Sequence, residues 1–251
     1  MKKTFLSNLT LTAGALLLSG CALFNDSISY TDEIVVTKTD KPVVIDGKVT
    51  DEIWNKAPYY SFVLPCDRLR DWCSNRPVQE GMAQIAYDKN NVYILAKFID
   101  DDIVQYGKDG DHLYIRGDLL EFFAYNTETE HYWEIYGSAN AKSTVMFFEN
   151  AGRRIFPEAI QKDDKIQVAA VLNGTLNNSK DTDNGYVVEM AIPMSIFNSK
   201  GDFFKPGTKW KVLCARYNYS KSFDNIEYST TSKMKKLNYH DRDSYLPVVF
   251  K

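Results

Sequence analysis

Residues 118–137 read DLLEFFAYNTETEHYWEIYG, and the spacing of their apolar side chains decides what kind of chain this is. Leu120, Phe122 and Ala124 fall on one side of an extended strand, and Leu119, Glu121, Phe123 and Tyr125 on the other. The polar stretch NTETE (126–130) follows, and HYWEIY (131–136) runs back, which predicts a β-hairpin with a five-residue loop. Two carboxylates, Glu121 and Glu134, thereby stand on strands among aromatic rings. A strand that places Glu beside Phe and Trp either faces water or uses the carboxylate on a ligand. Rings that stack on C–H faces and carboxylates that accept hydroxyl protons suit a sugar. An outer, solvated face of a sandwich is the other reading, and the pattern leaves both open.

Outward from this hairpin, short strands recur along the chain. Segments 34–38 and 42–45 are strand-like, with Asp46-Gly47 as a turn after them. Residues 50–57 fit one or two helical turns, with Thr50 as the cap and Trp54 pointing inward. Segments 82–87 and 92–99 form a hairpin around DKNN (88–91), and the second is apolar on both sides, as in a buried central strand. Further strands are expected at 143–148, 166–172, 185–192, 210–220, 225–230 and 245–250, with a helical turn at 193–197. Little helix and many closely spaced strands define an all-β, antiparallel, jelly-roll-like β-sandwich with short helical turns, covering 34–251 as one domain. The long loop at 58–79 holds Cys66, Cys73, Trp72 and three Arg, and loops of that length in compact domains tend to carry function.

The amino terminus has its own logic. Lys2 and Lys3 precede a short apolar run and then Leu18-Ser19-Gly20-Cys21, a secretory signal whose end resembles the bacterial lipobox. Residues 1–21 are therefore expected to be a leader with Cys21 as the lipidated residue, and 22–33 a tether. Ala22 after the Cys favours the outer membrane, at the cell surface or its periplasmic face. In an oxidising compartment Cys66 and Cys73 are expected to pair as a disulfide, while Cys214, within KVLCA, reads as a small buried hydrophobe. The net charge of −3 and the lack of a basic run with interleaved aromatics argue against nucleic acid as a partner.

Several motifs in order carry a resemblance. They are VVIDG (43–47) with DEIW (51–54), AYD (86–88) with NVYIL (91–95), GDLLEFF (117–123), GYVVEMAIP (185–193) and the closing 241–250. Together they resemble carbohydrate-binding module family 9, a sandwich related to the DOMON domains that bind sugars or haem. The resemblance implies two rings that sandwich a terminal sugar unit, with carboxylate and amide groups reading its hydroxyls. Glu121 falls on the ligand-contacting Glu. One ring position falls at Ile115, where neighbouring Tyr114 is the nearest aromatic; the other falls on Tyr239, with Asn238 beside it. A ligand-binding Arg falls on Glu134, a reversed charge. Some members of the family hold structural calcium, and Asp100, Asp101 and Asp102, which close a strand, are either such a site or a solvated turn.

Other aromatics divide by context. Trp54 and Trp210 sit in regular apolar patterns and read as core. Trp133 suits either the core or the rim of a site, and Trp72, in an Arg-rich loop, is the best candidate for an exposed contact. The function expected is binding of an oligosaccharide or polysaccharide without turnover, with partner proteins of a glycan-uptake system and a membrane reached through the lipid. Three other classes find partial support in the residues. A glycosidase needs two carboxylates across a cleft, which Glu121 and Glu134 could supply, though the family is not catalytic. A haem domain needs axial ligands, for which Met146, Met190, Met194 and His240 provide atoms. An assembly lipoprotein would keep the sandwich and lose its site.

Overall fold

A strict two-residue period commits both faces of a strand at once, and the sheet around residues 118–137 follows from it. The computed structural model describes residues 27–69, 74–149, 160 and 165–251. In it the decisive stretch forms β5 (Leu119–Asn126) and β6 (Tyr132–Ser138), numbered in chain order, with Phe122 opposite Ile135 and Glu121 opposite Tyr136. β7 (Ser143–Phe148) flanks β6, and β10 (Trp210–Asn218) flanks β5. The far edge of β10 is shared by β11 (Glu227–Thr230) and β12 (Leu246–Phe250), which completes the first sheet. The second sheet holds β2 (Tyr59–Ser61), β3 (Gly81–Tyr87), β4 (Asn91–Phe98), β9 (Tyr186–Pro193) and β8 (Gln167–Leu172). A short helix, α1 (Met194–Asn198), follows β9.

Strand β1 (Ile34–Lys38) joins the two sheets into one continuous path. Its first residues pair with β12 and its last with β3, both in parallel. All other ladders between the described strands are antiparallel, so the expected antiparallel sandwich is right except at this crossing strand.

Between the sheets lies the main core. Leu120, Phe122, Trp133, Ile135, Trp210 and Val212 meet Ile85, Ile94, Val188 and Met190 from the opposite sheet. Gly137 leaves room here for the side chain of Met190, which a Cβ would displace. Cys214 faces the same core, and burial pushes its thiol up to about 12. It behaves as the apolar residue expected.

Each sheet also buries its outer face. On the β3–β4–β9 side the cover is the segment 43–57, with Val43, Ile53 and Trp54 packed on Tyr93 and Leu95. Fully buried Glu189 fixes that cover, accepting hydrogen bonds from the Gly47 amide (3.1 Å), the Asp46 amide (3.2 Å) and the Trp54 indole (2.9 Å). Bonds to a charged acceptor are worth about 1.5–3 kcal/mol each. Gly47 takes φ +73°, with Val171 where a Cβ would go.

Some expectations change. Residues 42–45 make no ladder; Val43 is buried while Val44 is 62% exposed, so the apolar run serves as cover rather than as strand. The helical turn is a 3-10 helix, Glu52–Asn55, led by Asp51 with no side-chain cap, so Thr50 does not cap it. Strand β2 lies inside what reads as loop. Cys66 and Cys214 are free thiols, and no disulfide joins the described residues. Cys73, the expected partner of Cys66, lies outside those residues, as do Trp72, Cys21, the leader 1–21 and the tether up to residue 26.

Candidate functional site

The second outer face, on β7–β6–β5–β10–β11, is where the expected site residues gather. Ladder register puts Glu121 opposite Tyr136 and Phe123 opposite Glu134, so the two carboxylates are diagonal neighbours on one face. The same register brings Tyr217 opposite Leu119 and Tyr228 opposite Tyr217. The result is a carboxylate pair ringed by Tyr132, Tyr136, Tyr217 and Tyr239.

Burial, followed by the two carboxylates, holds the Tyr136 phenol well above its ordinary range. Tyr217 is shifted the same way, by burial first and then by Glu121, to which its hydroxyl is hydrogen-bonded. These phenols therefore stay protonated, and Tyr217 donates to Glu121. Glu134 meets His240 Nδ1 at 3.0 Å. That nitrogen is also 3.0 Å from the Tyr132 hydroxyl, which lies 3.0 Å from the Tyr245 hydroxyl.

Two connecting segments close this face. The strap 234–245 lays Met234, Tyr239 and Tyr245 onto it, and the 3-10 turn Leu113–Ile115 adds Leu113 and Tyr114. Tyr239 packs edge-on against Tyr217 and Phe123, with ring centroids 5.4 and 6.1 Å away. Its hydroxyl donates to the carbonyls of Arg216 and Ser229, each at 3.0 Å. Tyr114 leans on Tyr217 at 5.6 Å.

The structure thus brings Tyr114, Glu121, Glu134 and Tyr239 together but fills the space between them. Glu121 and Glu134 are each 1% exposed and Tyr239 is 5% exposed, so in this arrangement neither acid nor ring presents a face to a ligand. Ile115, at a position where the family resemblance places a ring, is 56% exposed and offers no stacking plane. Asn238 is exposed on the strap, its side-chain oxygen accepting the His240 amide at 3.3 Å.

Trp133 is corrected outright. It sits on the inner face of β6, fully buried against Phe147 and Phe197, and its indole donates to Asp202 at 3.1 Å. The alternation of β6 puts Glu134 outward and Trp133 inward, so it has no place on a rim. Met190 lies in the main core and Met146 on the opposite face of the first sheet, so they do not flank a common pocket for haem.

The acid triplet is corrected too. Asp100 pairs with Arg216 at 2.9 Å, and Asp101 accepts hydrogen bonds from the Ser220 and Ser222 hydroxyls at 2.5 and 2.6 Å. Asp102 accepts from the Lys221 amide at 2.8 Å. The carboxylates diverge to separate partners, and among the described residues no group of three acids, His or Cys converges on a metal-sized point. Their work is to hold the loop that follows β10. Asp118 helps, accepting the Tyr219 and Val104 amides at 2.6 Å each.

That loop forms one wall of an open cleft of about 950 Å³. Tyr219, Phe223 and Tyr228 supply rings; Ser222, Asp224 and Asn225 supply polar groups; Arg68 and Leu64 stand on the other wall. The cleft adjoins the filled face, since Tyr228 is 5.5 Å from Tyr217 and the Tyr219 hydroxyl donates to the Tyr114 carbonyl at 2.7 Å. In sequence, residues 219–228, YSKSFDNIEY, read only as the end of one strand, a turn and the start of the next. Its signal was an aromatic residue every four or five positions in a polar hairpin loop.

The fold is thus a β-sandwich with aromatic rings and paired carboxylates on one outer face and an aromatic, polar cleft beside them. The family model described as carbohydrate family 9 binding domain-like matches residues 45–245, and the chain belongs to that family. Its fold is similar to that of a candidate carbohydrate-binding protein from Bacteroides uniformis ATCC 8492 (TM-score 0.65, 11% identity, 88% of this chain and 99% of that one). It is also similar to a family 9 carbohydrate-binding module from Caldicellulosiruptor kristjanssonii. The complex of that module with cellotriose gives TM-score 0.58, 15% identity and coverage of 87% and 93%. The complex with glucose gives 0.55, 15%, and 86% and 95%. No curated protein sequence matches the chain.

Proposed function

We propose that this protein binds a carbohydrate without cleaving it, and that the sugar occupies the cleft lined by Tyr219, Phe223 and Tyr228 rather than the face beneath the strap. One observation carries the choice: the Tyr239 ring and the Glu121 and Glu134 carboxylates are packed by the chain's own side chains, while the neighbouring cleft is open. Rings with hydroxyl, amide and carboxylate groups around them fit a sugar's alternating C–H faces and hydroxyls. Hydrolysis is disfavoured on the same grounds. A glycosidase needs two carboxylates with room between them for the bond and a water, and Glu121 and Glu134 are sealed under tyrosines and His240.

The same reading takes the protein as exported and lipidated at Cys21, held to the outer membrane by the short tether, and working with proteins that take up glycans. A second reading, an assembly lipoprotein with a lost sugar site, is favoured by the filled face.

Titration of the purified protein against a broad oligosaccharide panel separates them. Phe223→Ala and Tyr228→Ala should each weaken binding by at least about tenfold, equivalent to ~1.4 kcal/mol. Asn238→Ala should leave it unchanged. Binding lost in Asn238→Ala but kept in Phe223→Ala would return the site to the strap, and no binding by the wild type would favour the assembly reading.

A further inference from the structure

Phe223 reaches the cleft from a loop that leaves the end of β10, and the residues just before it set where its backbone lies. Ser220 makes the turn: its carbonyl accepts the Phe223 amide at 3.1 Å and its hydroxyl accepts the Ser222 amide at 2.9 Å. A ring on a loop contributes most to binding when the loop is already in place, because ordering it on binding subtracts from affinity. What holds this loop therefore bears on the cleft.

Among the described residues, the hydrogen bonds that tie 219–222 to other elements run to three places: the 100–102 turn, Tyr114 with Asp118, and the loop at 179–181. The Tyr219 amide donates to Asp118 and its hydroxyl to the Tyr114 carbonyl. The Lys221 amide donates to Asp102, and its ammonium to the Ser179 and Asp181 carbonyls. At the centre stands Asp101, whose single carboxylate takes both serines, Ser220 on Oδ1 at 2.5 Å and Ser222 on Oδ2 at 2.6 Å. The Gln79 side chain is a further donor to it. Asp101 is partly exposed but does not line the cleft, whereas Ser220, Ser222 and Phe223 do.

We propose that Asp101 is the positioning residue of the cleft, its two carboxylate oxygens holding Ser220 and Ser222 and so presetting the Phe223 ring for the sugar. This rests on the reading of the cleft as a sugar site and names the group that governs it. Hydrogen bonds to an ionised acceptor are about twice as strong as neutral ones, and here both serines share one acceptor, so its removal frees both together. Tyr219 and Lys221 keep their own partners, and the loop stays attached to the sheet. A loop that is in place for only part of the time binds with an affinity reduced by that fraction, and the reduction falls on association.

The test uses the purified protein and, as probe, the oligosaccharide of the panel that binds the wild type most tightly. Asp101→Ala should weaken binding about tenfold through a slower association rate, with the dissociation rate within about twofold of the wild type. Its Tm should stay within about 4 °C. Asp101→Asn, which keeps one acceptor oxygen, should recover part of the loss. In the Ser220→Ala, Ser222→Ala background, Asp101→Ala should add less than about twofold, because the group acts through those serines. Hydrogen exchange of the 219–225 amides, read without any sugar, should speed up in Asp101→Ala while β5 and β6 stay protected.

Unchanged exchange in the loop, or unchanged affinity in Asp101→Ala, would overturn the positioning role and leave the sugar-binding reading standing. A loss carried wholly by faster dissociation would overturn it too, since it would make Asp101 a direct contact. Faster exchange in a protein that binds none of the panel overturns both readings.

Discussion

Tyr239 separates a filled face from an open stacking site, and the two make different demands on it. As a stacking platform its ring would be exposed, and Tyr239→Ala would cost almost no stability. In the structure the ring is buried, contacts Phe123, Tyr217 and Tyr228, and sends its hydroxyl to two carbonyls that face each other across the β10–β11 ladder. Truncating a buried aromatic costs about 3–5 kcal/mol. Tyr239→Phe keeps the ring and removes one neutral hydroxyl, about 1 kcal/mol. For a domain of this size that is a fall in Tm of about 2–4 °C for the Phe variant and of order 10 °C for the Ala variant. Urea unfolding with an unchanged m-value, alongside the thermal melt, gives both numbers. Sugar binding by Tyr239→Phe should match the wild type. An Ala variant within about 0.5 kcal/mol of the wild type, with binding lost, would refute the argument that the strap fills this face.

Other outcomes follow from the buried charges and the acid triplet. Arg216→Met strips Asp100 of its partner and the Gln79 and Ile99 carbonyls of their donors, so it should cost about 3–5 kcal/mol; adding Asp100→Asn should recover part of that loss in the same melt. Burial, opposed by Arg216, lifts the Asp100 carboxyl to about 6, above its unfolded value. The folded chain then holds a proton that the unfolded chain has lost, so this stabilising contribution is complete below about pH 4 and disappears as pH rises through 6. Between pH 5 and 7 the Tm should fall less steeply in Asp100→Asn than in the wild type; identical slopes would remove Asp100 as the cause. Because Asp100, Asp101 and Asp102 are engaged by Arg216 and residues 220–222, a chelator should leave the Tm within about 1 °C, and a larger fall would restore a bound cation.

Much of the fold was legible because its signals are local. Alternation alone located β5, β6 and β7 and marked β4 as buried on both faces, and turn residues marked the hairpins. The same alternation misassigned residues 42–45, since an apolar run that covers a sheet has the composition of one that joins it. Trp133 could not be placed from its neighbours, because the side of β6 that becomes core depends on which face the opposite sheet meets. Asp100 to Asp102 looked like a cation site because sequence shows the acids and not their distant partners, Arg216 and the loop at 220–222.

By itself, then, the sequence determined the strand set, the sandwich class, the family motifs and the placing of Glu121 and Glu134 among rings. Period-two patterning and short-range turn chemistry are written in adjacent residues. Only the tertiary structure decided that those carboxylates are sealed and that a cleft stands open beside them. The strap that seals them lies about a hundred residues further along the chain, and its fit onto the sheet is a matter of packed shape and hydrogen-bonded ends that no local pattern records.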